Sequence, residues 1–284
     1  MINTIYIIGV DLIGGSLAID IKKERPDCTI YGIDTNVQHI NEALKFGIID
    51  EKAAIEDIRT ADLVILATPV DTAVILLPML LDSISDFGLI VDVGSTKSNI
   101  CKTVASHPKR RNFLAMHPIA GTEFSGPKAA VANLFQQKTN IICEIEKTAA
   151  TLQEKALNLF TTIGMRMRYV HPESHDKHIA YMSHLSHISA FMLGKTVIEK
   201  EKNERDIFDM AGSGFESTVR LAKSSPAMWT PIFKQNKINV IGALQEYISN
   251  LSRFKALLEN DDFEDVYKEM DETNYIKTIL NGIQ

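Results

Sequence analysis

The sequence predicts an α/β N-terminal domain with a mostly parallel sheet, followed by an all-α C-terminal domain. In the first 172 residues, short β-branched apolar runs alternate with segments of helical period. From Glu173 onward no strand-like run occurs, and apolar residues recur three or four positions apart, as in residues 179–192. We therefore expect two domains, residues 1–172 and residues 173–284. A chain of 284 residues with 45% hydrophobic and 23% charged residues can form two such cores.

The first strand, turn, helix and second strand carry the pattern of a dinucleotide-binding unit. The apolar run Thr4–Ile8 predicts a buried strand, and a second strand, Thr29–Ile33, leads to Asp34. Between them, Gly9 permits a tight turn, and Gly14 lets a helix pack closely on the strand. The N-terminus of that helix offers N–H groups to a pyrophosphate, and Asp34 can bind a ribose 2′-hydroxyl. This Rossmann-type pattern predicts a set of cofactor-binding residues, namely Gly9, Asp11, Leu12, Ile13, Gly14, Asp34, Thr68 and Pro69.

Asp11 departs from this pattern, because it occupies the position of the middle glycine, where the backbone approaches the pyrophosphate. Its carboxylate adds bulk and negative charge beside a dianion, so we expect a reduced affinity for the cofactor. Neither Arg nor Lys follows Asp34 in Asp34-Thr35-Asn36. A 2′-phosphate would therefore meet an anion without a cation, which favours NAD over NADP.

The rest of the α/β domain consists of alternating strands and helices. Helices are predicted over residues 36–46 and 71–81. Further strands are predicted within residues 62–69, 89–93, 112–116, 139–143 and 165–169.

His117 stands where a predicted buried strand ends and the glycine-opened loop Pro118–Gly126 begins. Ligands gather at this edge of α/β sheets, and a histidine there can act as a general base. A lone histidine can equally serve only to fix a loop. The loop after residue 93 contains Ser95, Thr96 and Lys97, whose hydroxyl and ammonium groups are expected to face the same cleft. The alternative is that Ser95 or Thr96 caps a helix.

The helical half holds several polar residues of interest. His184 and His187 lie three positions apart on one helix that His175-Asp176 opens, but no acidic third ligand has a suitable spacing. A metal site is therefore not expected, and a substrate pocket or a satisfied core remain open. Arg220 is expected just inside a helix that opens from a glycine loop, where it can bind a carboxylate, unless it is a surface arginine.

Composition excludes several classes of protein. A formal net charge of −6 disfavours a nucleic-acid partner. The most apolar stretch, residues 63–81, contains Pro69, Asp71 and Pro78 and does not predict a membrane span. The three cysteines lack metal-ligand spacing and indicate reduced thiols. With no basic leader before the first strand, a cytoplasmic location is expected.

Together these motifs resemble those of the prephenate dehydrogenase family, which includes the arogenate dehydrogenases. The resemblance covers nearly the whole chain. It implies NAD-dependent conversion of prephenate to 4-hydroxyphenylpyruvate and carbon dioxide in tyrosine biosynthesis. It also implies a Rossmann domain joined to a helical substrate-binding and dimerisation domain, and hence a homodimer acting on a small molecule. Seven ordered segments carry it, residues 9–16, 62–69, 92–97, 117–126, 175–176, 183–187 and 211–229.

The resemblance also implies roles for individual residues. His117 matches the catalytic histidine that accepts the proton of the ring hydroxyl, and Ser95 matches the hydroxyl that orients it, a task that Thr96 could share. Three residues match contacts in the substrate pocket, Arg220 with a carboxylate and His187 and Thr122 with the rest of the substrate. Trp229 matches an aromatic residue that approaches the neighbouring subunit's site. The alternative for Trp229 is a place in the core or in a subunit contact.

Glu216 and Ser217 depart from the family, whose members often carry a basic residue and then an acid there. A basic residue could pair with Asp176 at the pocket mouth, whereas Glu216 would repel it, so a changed gate is expected. The alternatives to a prephenate dehydrogenase are an arogenate dehydrogenase and a catalytically silent NAD-binding sensor, the latter suggested by Asp11. A β-hydroxyacid dehydrogenase is disfavoured, because Lys195 has no Asn partner four residues later.

Overall fold

The computed structural model describes residues 2–202 and 206–281. The chain forms two compact units, Met1–Lys237 and Ile238–Gln284. The predicted domain boundary at residues 172 and 173 falls inside the first unit and stays a prediction. Both predicted domains include residues outside the described ranges, namely residue 1 in the first and residues 203–205 and 282–284 in the second.

One eight-stranded sheet forms the centre of the first unit. Its strand order is β3-β2-β1-β4-β5-β6-β7-β8, and neighbouring strands are parallel except for the antiparallel pair β6 and β7. The predicted mostly parallel sheet is thus confirmed. The strands are β1 (Thr4–Ile8), β2 (Thr29–Ile33), β3 (Glu51–Lys52), β4 (Leu63–Leu66), β5 (Leu89–Asp92), β6 (Phe113–Pro118), β7 (Thr139–Cys143) and β8 (Arg166–Tyr169).

Strand β3 is the one strand that sequence reasoning missed. It contains only Glu51 and Lys52, both exposed, and pairs with Tyr31 and Gly32 of β2. Two charged residues have neither an apolar run nor an alternating pattern, so nothing in them signals a strand.

Helices cover both faces of the sheet and form most of the described chain after residue 171. Those of the first unit are α1 (Leu12–Glu24), α2 (Val37–Lys45), α3 (Val70–Ser83), α4 (Ser98–Thr103), α5 (Ala150–Thr162), α6 (Pro172–Ile179), α7 (Leu185–Glu201), α8 (Ser213–Val219) and α9 (Pro226–Gln235). The apolar segment that predicts this helix runs from residue 17 to about residue 23, whereas α1 begins at Leu12. The difference arises because its first turn contains two glycines, which weaken the helical signal.

Two apolar clusters follow from the alternation of side chains along the strands. Ile5 and Ile7 of β1 belong to one cluster, which includes residues of α1 and α5, whereas Tyr6 and Ile8 belong to the other, which includes residues of α3 and α4. At about 25 cal/mol per Å² of buried apolar surface, such cores provide most of the driving force for folding. They hold the strand ends, and hence the side chains that follow them, in fixed positions.

The prediction that the C-terminal half is helical is confirmed for the described residues. Helices α6 and α7 are joined by a wider π-helical turn, Ala180–His184. The expected placement of Arg220 near a helix start is wrong. Helix α8 begins at Ser213, immediately after Gly212, so Arg220 lies beyond its last residue, Val219.

The second unit is helical and exposes many apolar side chains. Its helices are α10 (Lys237–Glu259), which begins at the last residue of the first unit, α11 (Phe263–Thr273) and α12 (Ile276–Asn281). Exposed apolar residues occur on all three helices, among them Ile238, Ile241, Leu251, Phe263, Tyr267, Met270 and Ile279.

Among the described residues, no helix is both long enough and apolar enough to span a membrane. The expected cytoplasmic location stays a prediction. Cys28, Cys101 and Cys143 are all buried free thiols, in agreement with the expectation of reduced cysteines.

Candidate active site

The carboxyl ends of the parallel strands bring the predicted site residues to one edge of the sheet. Gly9 follows β1, Asp34 follows β2, Thr68 follows β4 and Ser95 follows β5, while His117 is the penultimate residue of β6. Strand order reverses between β1 and β4, and ligands of open α/β sheets bind outside such a switch point.

The turn after β1 has the shape of a dinucleotide cradle. Gly9 has a φ of +94°, and a Cβ there would lie 2.5 Å from the carbonyl oxygen of Ala67. A Cβ on Gly14 would lie 2.0 Å from the carbonyl oxygen of Gly9. Any side chain at either position would therefore displace the backbone that surrounds the turn. The cradle fits the pyrophosphate of NAD at the N-terminus of α1.

Asp11 can occupy this turn without strain, although the Rossmann pattern has a glycine at its position. It is the N-cap residue of α1, with φ −71° and ψ −166°, so its backbone does not need a glycine. An aspartate at this position usually accepts hydrogen bonds from the first turn of its helix. Here the carboxylate makes no capping hydrogen bond. The first-turn N–H groups of α1 therefore remain available to a bound anion.

Three further predicted cofactor residues, Asp34, Thr68 and Pro69, follow the neighbouring strands β2 and β4. Asp34 accepts hydrogen bonds from the backbone N–H groups of Val10 (3.2 Å) and Asn36 (2.8 Å), which fix its carboxylate at the end of β2. The Thr68 hydroxyl is buried and has no hydrogen-bond partner among the described residues. A polar atom buried in this way is costly, so a ligand that binds it gains free energy. Pro69 caps α3 directly after it.

His117 is buried, 8% exposed, and hydrogen-bonded to a second histidine. Its Nδ1 lies 2.8 Å from Nε2 of His175. The Nδ1 of His175 in turn lies 2.8 Å from Oδ1 of Asp176. His175 belongs to one of the segments that carry the family resemblance, but the sequence predicted no role for it.

This chain of hydrogen bonds determines where the protons lie. A carboxylate only accepts hydrogen bonds, so Nδ1 of His175 donates to Asp176. In neutral His175, Nε2 is then an acceptor, and Nδ1 of His117 must donate to it. The remaining ring nitrogen of His117, Nε2, keeps its lone pair and has no hydrogen bond within the described residues. His117 is thereby prepared to accept a proton from a ligand.

The surroundings keep both histidines neutral. Burial, followed by the neighbouring His175 and Lys97, holds the pKa of His117 well below its usual range. Burial also lowers the pKa of His175, although the hydrogen bond to Asp176 opposes this shift. Hydrogen bonds from His175 and from two backbone N–H groups outweigh burial and lower the pKa of Asp176. Neutral imidazoles beside a carboxylate are the arrangement that a general base requires.

Lys97 does not face the cleft, contrary to expectation. Its side chain is fully buried, forms an ion pair with Asp92, and donates to the carbonyl oxygen of Met116, the residue before His117. The ammonium is hydrogen-bonded to the end of β6 and therefore supports the position of His117, but it is not available to a ligand.

Ser95 and Thr96 differ in their surroundings. Thr96 is buried and its hydroxyl donates to the side-chain oxygen of Gln235 at 2.8 Å. Ser95 is half-buried, and its hydroxyl makes no hydrogen bond within the described residues. Neither side chain caps α4. Instead, the carboxylate of Asp176 accepts hydrogen bonds from the backbone N–H groups of Lys97 (2.7 Å) and Ser98 (2.9 Å). The role of Ser95 in orienting His117 stays a prediction.

The predicted carboxylate ligand Arg220 lies against the loop that follows His117. Its guanidinium Nη1 is 3.0 Å from Oε2 of Glu123, while half of the side chain remains exposed. Thr122, next to Glu123, is exposed, and its hydroxyl accepts from the N–H of Phe124 at 3.3 Å. Glu123 thus holds Arg220 beside the loop and leaves other guanidinium N–H groups for a ligand.

His187 and Trp229 form a stacked pair, with ring centroids 3.6 Å apart. Burial lowers the pKa of His187, and the hydrogen bond to the Ser183 carbonyl opposes that shift. The positive charge of Arg220 lowers the pKa of His187 further, so the two side chains interact electrostatically. Trp229 is buried, and its indole N–H has no hydrogen-bond partner among the described residues. Contact of Trp229 with substrate or with a neighbouring subunit stays a prediction.

His184 is buried, but it is not the satisfied core histidine that was one of the two options, because its Nε2 has no hydrogen-bond partner among the described residues. It is fully buried, stacks edge-on against Trp229, and lies 3.2 Å from the side-chain amide of Asn236. Burial lowers its pKa to about 4. No group of three or more metal-ligating side chains occurs within residues 2–202 and 206–281.

The expected repulsion between Glu216 and Asp176 at the pocket mouth is wrong. Asp176 is 3% exposed, and its carboxylate is used by His175 and by the N-terminus of α4. Glu216 is exposed and lies 3.5 Å from Lys223. The two carboxylates therefore have separate partners and separate surroundings.

Sequence reasoning missed the roles of His175, Asp176 and Glu123. The only signal for the first two was the adjacent His-Asp pair, whose partner His117 lies 58 residues earlier. For Glu123 the signal was an acidic residue in the loop next to His117, with its partner 97 residues later.

Comparisons with known proteins agree with this geometry. A family model described as the nucleotide-binding domain of prephenate dehydrogenase matches residues 17–169, and one described as its dimerization domain matches residues 171–272. The prephenate dehydrogenase of Bacillus subtilis (strain 168) is 35% identical over 94% of this chain and 73% of that protein. The cyclohexadienyl dehydrogenase of Zymomonas mobilis is 31% identical over 91% of this chain and 89% of that protein.

Solved structures give the same answer. The crystal structure of the Aquifex aeolicus prephenate dehydrogenase in complex with hydroxyphenyl propionate and NAD+ superimposes with a TM-score of 0.88. Its sequence is 31% identical, and the superposition covers 99% of each chain. With both family models matched and this similarity over its length, the chain belongs to the prephenate dehydrogenase family.

Proposed function

We propose that this chain catalyses the NAD-dependent oxidative decarboxylation of prephenate to 4-hydroxyphenylpyruvate and carbon dioxide, a step of tyrosine biosynthesis. The observation that carries the proposal is the hydrogen-bonded series His117, His175 and Asp176 at the carboxyl edge of the sheet, from which we deduce that Nε2 of His117 can accept a proton. Membership of the family identifies the chain as an NAD-dependent oxidoreductase, and a relative binds NAD+ together with a hydroxyphenyl compound.

The cradle formed by Gly9, Gly14 and the N-terminus of α1 would hold the pyrophosphate of the cofactor, and Asp34 would bind its ribose. When bound there, NAD supplies the hydride acceptor. Thr68 offers an unpaired buried hydroxyl beside it. The carboxylate of Asp34 disfavours a 2′-phosphate, which is the basis for proposing NAD rather than NADP.

His117 supplies the base. As the ring carbon that bears the hydroxyl gives up a hydride, for which NAD would be the acceptor, His117 Nε2 accepts the hydroxyl proton. The ring carboxylate then leaves as carbon dioxide, its bonding electron pair makes the ring aromatic, and His117 returns the proton to the ring oxygen. The positive charge that forms on His117 is stabilised through His175 by the carboxylate of Asp176. Burial excludes water from the imidazole, so the proton passes between the substrate and His117.

Arg220 binds and orients a substrate carboxylate in this proposal, with His187 and Thr122 lining the pocket. Its guanidinium is already held by Glu123, so the substrate meets a preorganised cation. Ser95 lies at the end of β5, in the neighbouring loop, and is proposed to orient His117 or the substrate hydroxyl.

The proposed function is tested by following NADH absorbance with purified protein and either prephenate or arogenate, with NAD and NADP in parallel. Turnover of prephenate with NAD supports the proposal. Absence of turnover with both substrates at saturating NAD would contradict it and favour a silent NAD-binding protein.

Arogenate is the second candidate substrate, and Glu123 is the observation that favours it. A carboxylate 3.0 Å from the guanidinium of Arg220 can bind the ammonium group of an amino acid whose carboxylate Arg220 binds. The relative named cyclohexadienyl dehydrogenase is consistent with either ring compound. A higher kcat/KM with arogenate than with prephenate would select this alternative.

Arg220→Gln is expected to raise KM for the substrate about 10- to 100-fold, because a charge-assisted hydrogen bond contributes about 1.5–3 kcal/mol. Arg220→Lys should give an intermediate value, since an ammonium cannot form the bidentate pair. Initial rates over a range of substrate concentrations measure the effect. Lys223→Gln is the matched control, because it removes a nearby cation whose partner is Glu216. An unchanged KM in Arg220→Gln would remove Arg220 from the substrate site.

We also propose a homodimer formed through the helical half. The family model that matches residues 171–272 describes a dimerization domain. The exposed apolar side chains on α10, α11 and α12 would be buried against a second copy of the chain. A monomer mass in sedimentation equilibrium would contradict this assembly.

A further inference from the structure

We infer that His39 is a cofactor-site residue that compensates the charge of Asp11 and so permits an aspartate at the pyrophosphate turn. His39 lies in the first turn of α2 and is not among the cofactor-binding residues predicted from the sequence. Its role rests on the proposed function, because it presupposes that NAD is the cofactor.

His39 faces both carboxylates of the NAD site. Its Nδ1 lies 3.3 Å from Oδ1 of Asp11 and 3.7 Å from Oδ2 of Asp34. The imidazole is about three-quarters buried, with 26% of its side chain exposed.

Besides His39, the carboxylate of Asp11 has the backbone N–H of Gly126 as a partner, so His39 is its charged partner and not its sole one among the described residues. Asp34 accepts hydrogen bonds from Val10 and Asn36. Glu42, one turn after His39 on α2, pairs with Lys128 at 2.9 Å. Oδ1 of Asp11 is buried and has no hydrogen bond within the described residues. His39 is the basic side chain within 4 Å of Asp11 in the part of the chain that the structure describes.

The consequence concerns the incoming pyrophosphate. A carboxylate at this turn would either cap α1, and so occupy the N–H groups that the pyrophosphate needs, or repel the dianion. The structure shows no cap, and Oδ1 of the carboxylate instead lies 3.3 Å from Nδ1 of His39. Burial raises the pKa of Asp11, and His39 opposes that shift. The affinity for NAD should therefore depend on His39 only while Asp11 is present.

A double-mutant cycle tests this dependence. The Kd for NAD is measured by isothermal titration calorimetry for the unmodified chain, His39→Gln, Asp11→Gly and the double variant. We expect His39→Gln to weaken NAD binding about fivefold in the unmodified chain and less than about twofold in the Asp11→Gly background. Asp11→Gly alone should bind NAD more tightly than the unmodified chain. Raising the ionic strength should reduce the coupling, since the pair is partly exposed.

Lys128→Gln is the matched control, because it also removes a cation near α2 but one whose partner is Glu42. It should show no coupling to Asp11→Gly. Equal losses of affinity from His39→Gln in both backgrounds, or no loss in either, would overturn the role of His39 while leaving the proposed function intact. Failure of the unmodified chain to bind NAD at all would overturn both.

Discussion

His117→Asn is expected to lower kcat about 10²- to 10⁴-fold, the contribution that a positioned general base typically makes. Asparagine can keep a hydrogen bond toward His175 but cannot accept a proton from the substrate hydroxyl. Folding and the Kd for NAD should change little, because the cradle after β1 does not involve this side chain. Steady-state rates and calorimetric NAD binding measure the two effects separately.

The same residue predicts a pH profile. Burial and the neighbouring His175 and Lys97 lower the pKa of His117 well below its usual range, so the neutral, proton-accepting form persists at acidic pH. The acid limb of kcat/KM should therefore lie below about pH 6.5, where an ordinary histidine titrates. An acid limb at or above that value would contradict a buried His117 as the base.

His178→Asn is the matched control, since it changes an exposed histidine on the same helix as His175. It should leave kcat, KM and the pH profile unchanged. If His117→Asn were as active as this control, His117 would have no place in the chemistry.

Lys97→Met is expected to lower the free energy of unfolding by about 3–5 kcal/mol, because it leaves Asp92 as an uncompensated buried carboxylate. The Lys97 side chain is fully buried and Asp92 is 1% exposed, so water cannot replace the lost partner. The change also removes the hydrogen bond to the carbonyl of Met116. Urea denaturation followed by circular dichroism measures the loss.

The loss of stability in Lys97→Met should grow as pH rises. Burial already raises the pKa of Asp92, and Lys97 opposes that shift. Without Lys97, the folded state favours the protonated carboxyl while the unfolded chain ionises near its ordinary value. The folded state then binds more protons than the unfolded state, and the free energy of unfolding falls with increasing pH.

Lys102→Met provides the control. Lys102 pairs with Glu173 at 3.3 Å on the surface, with 68% of its side chain exposed, so its loss should cost no more than about 1 kcal/mol. Adding Asp92→Asn to Lys97→Met should recover part of the lost stability, since the buried charge is then gone. Equal midpoints for Lys97→Met and Lys102→Met would show that the buried pair contributes no more than a surface pair.

Much of the fold was predictable because it is encoded in local patterns. The apolar runs predicted seven of the eight strands, and β3 was missed because two charged residues carry no pattern. His117 was predicted at a sheet edge because a buried run followed by Pro and Gly marks the end of a strand. The glycine loop before Arg220 already suggested a carboxylate ligand, whereas the roles of His187 and Trp229 were implied by the family resemblance. All three roles at the site stay predictions.

By itself, the sequence determined the order of strands and helices, the glycine turn after β1, and the acidic residue after β2, since each depends on neighbours in the chain. Only the tertiary structure decided which polar groups pair. It hydrogen-bonds His117 to His175, sets Asp176 on the N-terminus of α4, buries Lys97 behind β6, and turns Asp11 toward His39. Most of these pairs join residues far apart in the chain, and burial makes each unpaired alternative costly, so folding selects partners that no local pattern specifies.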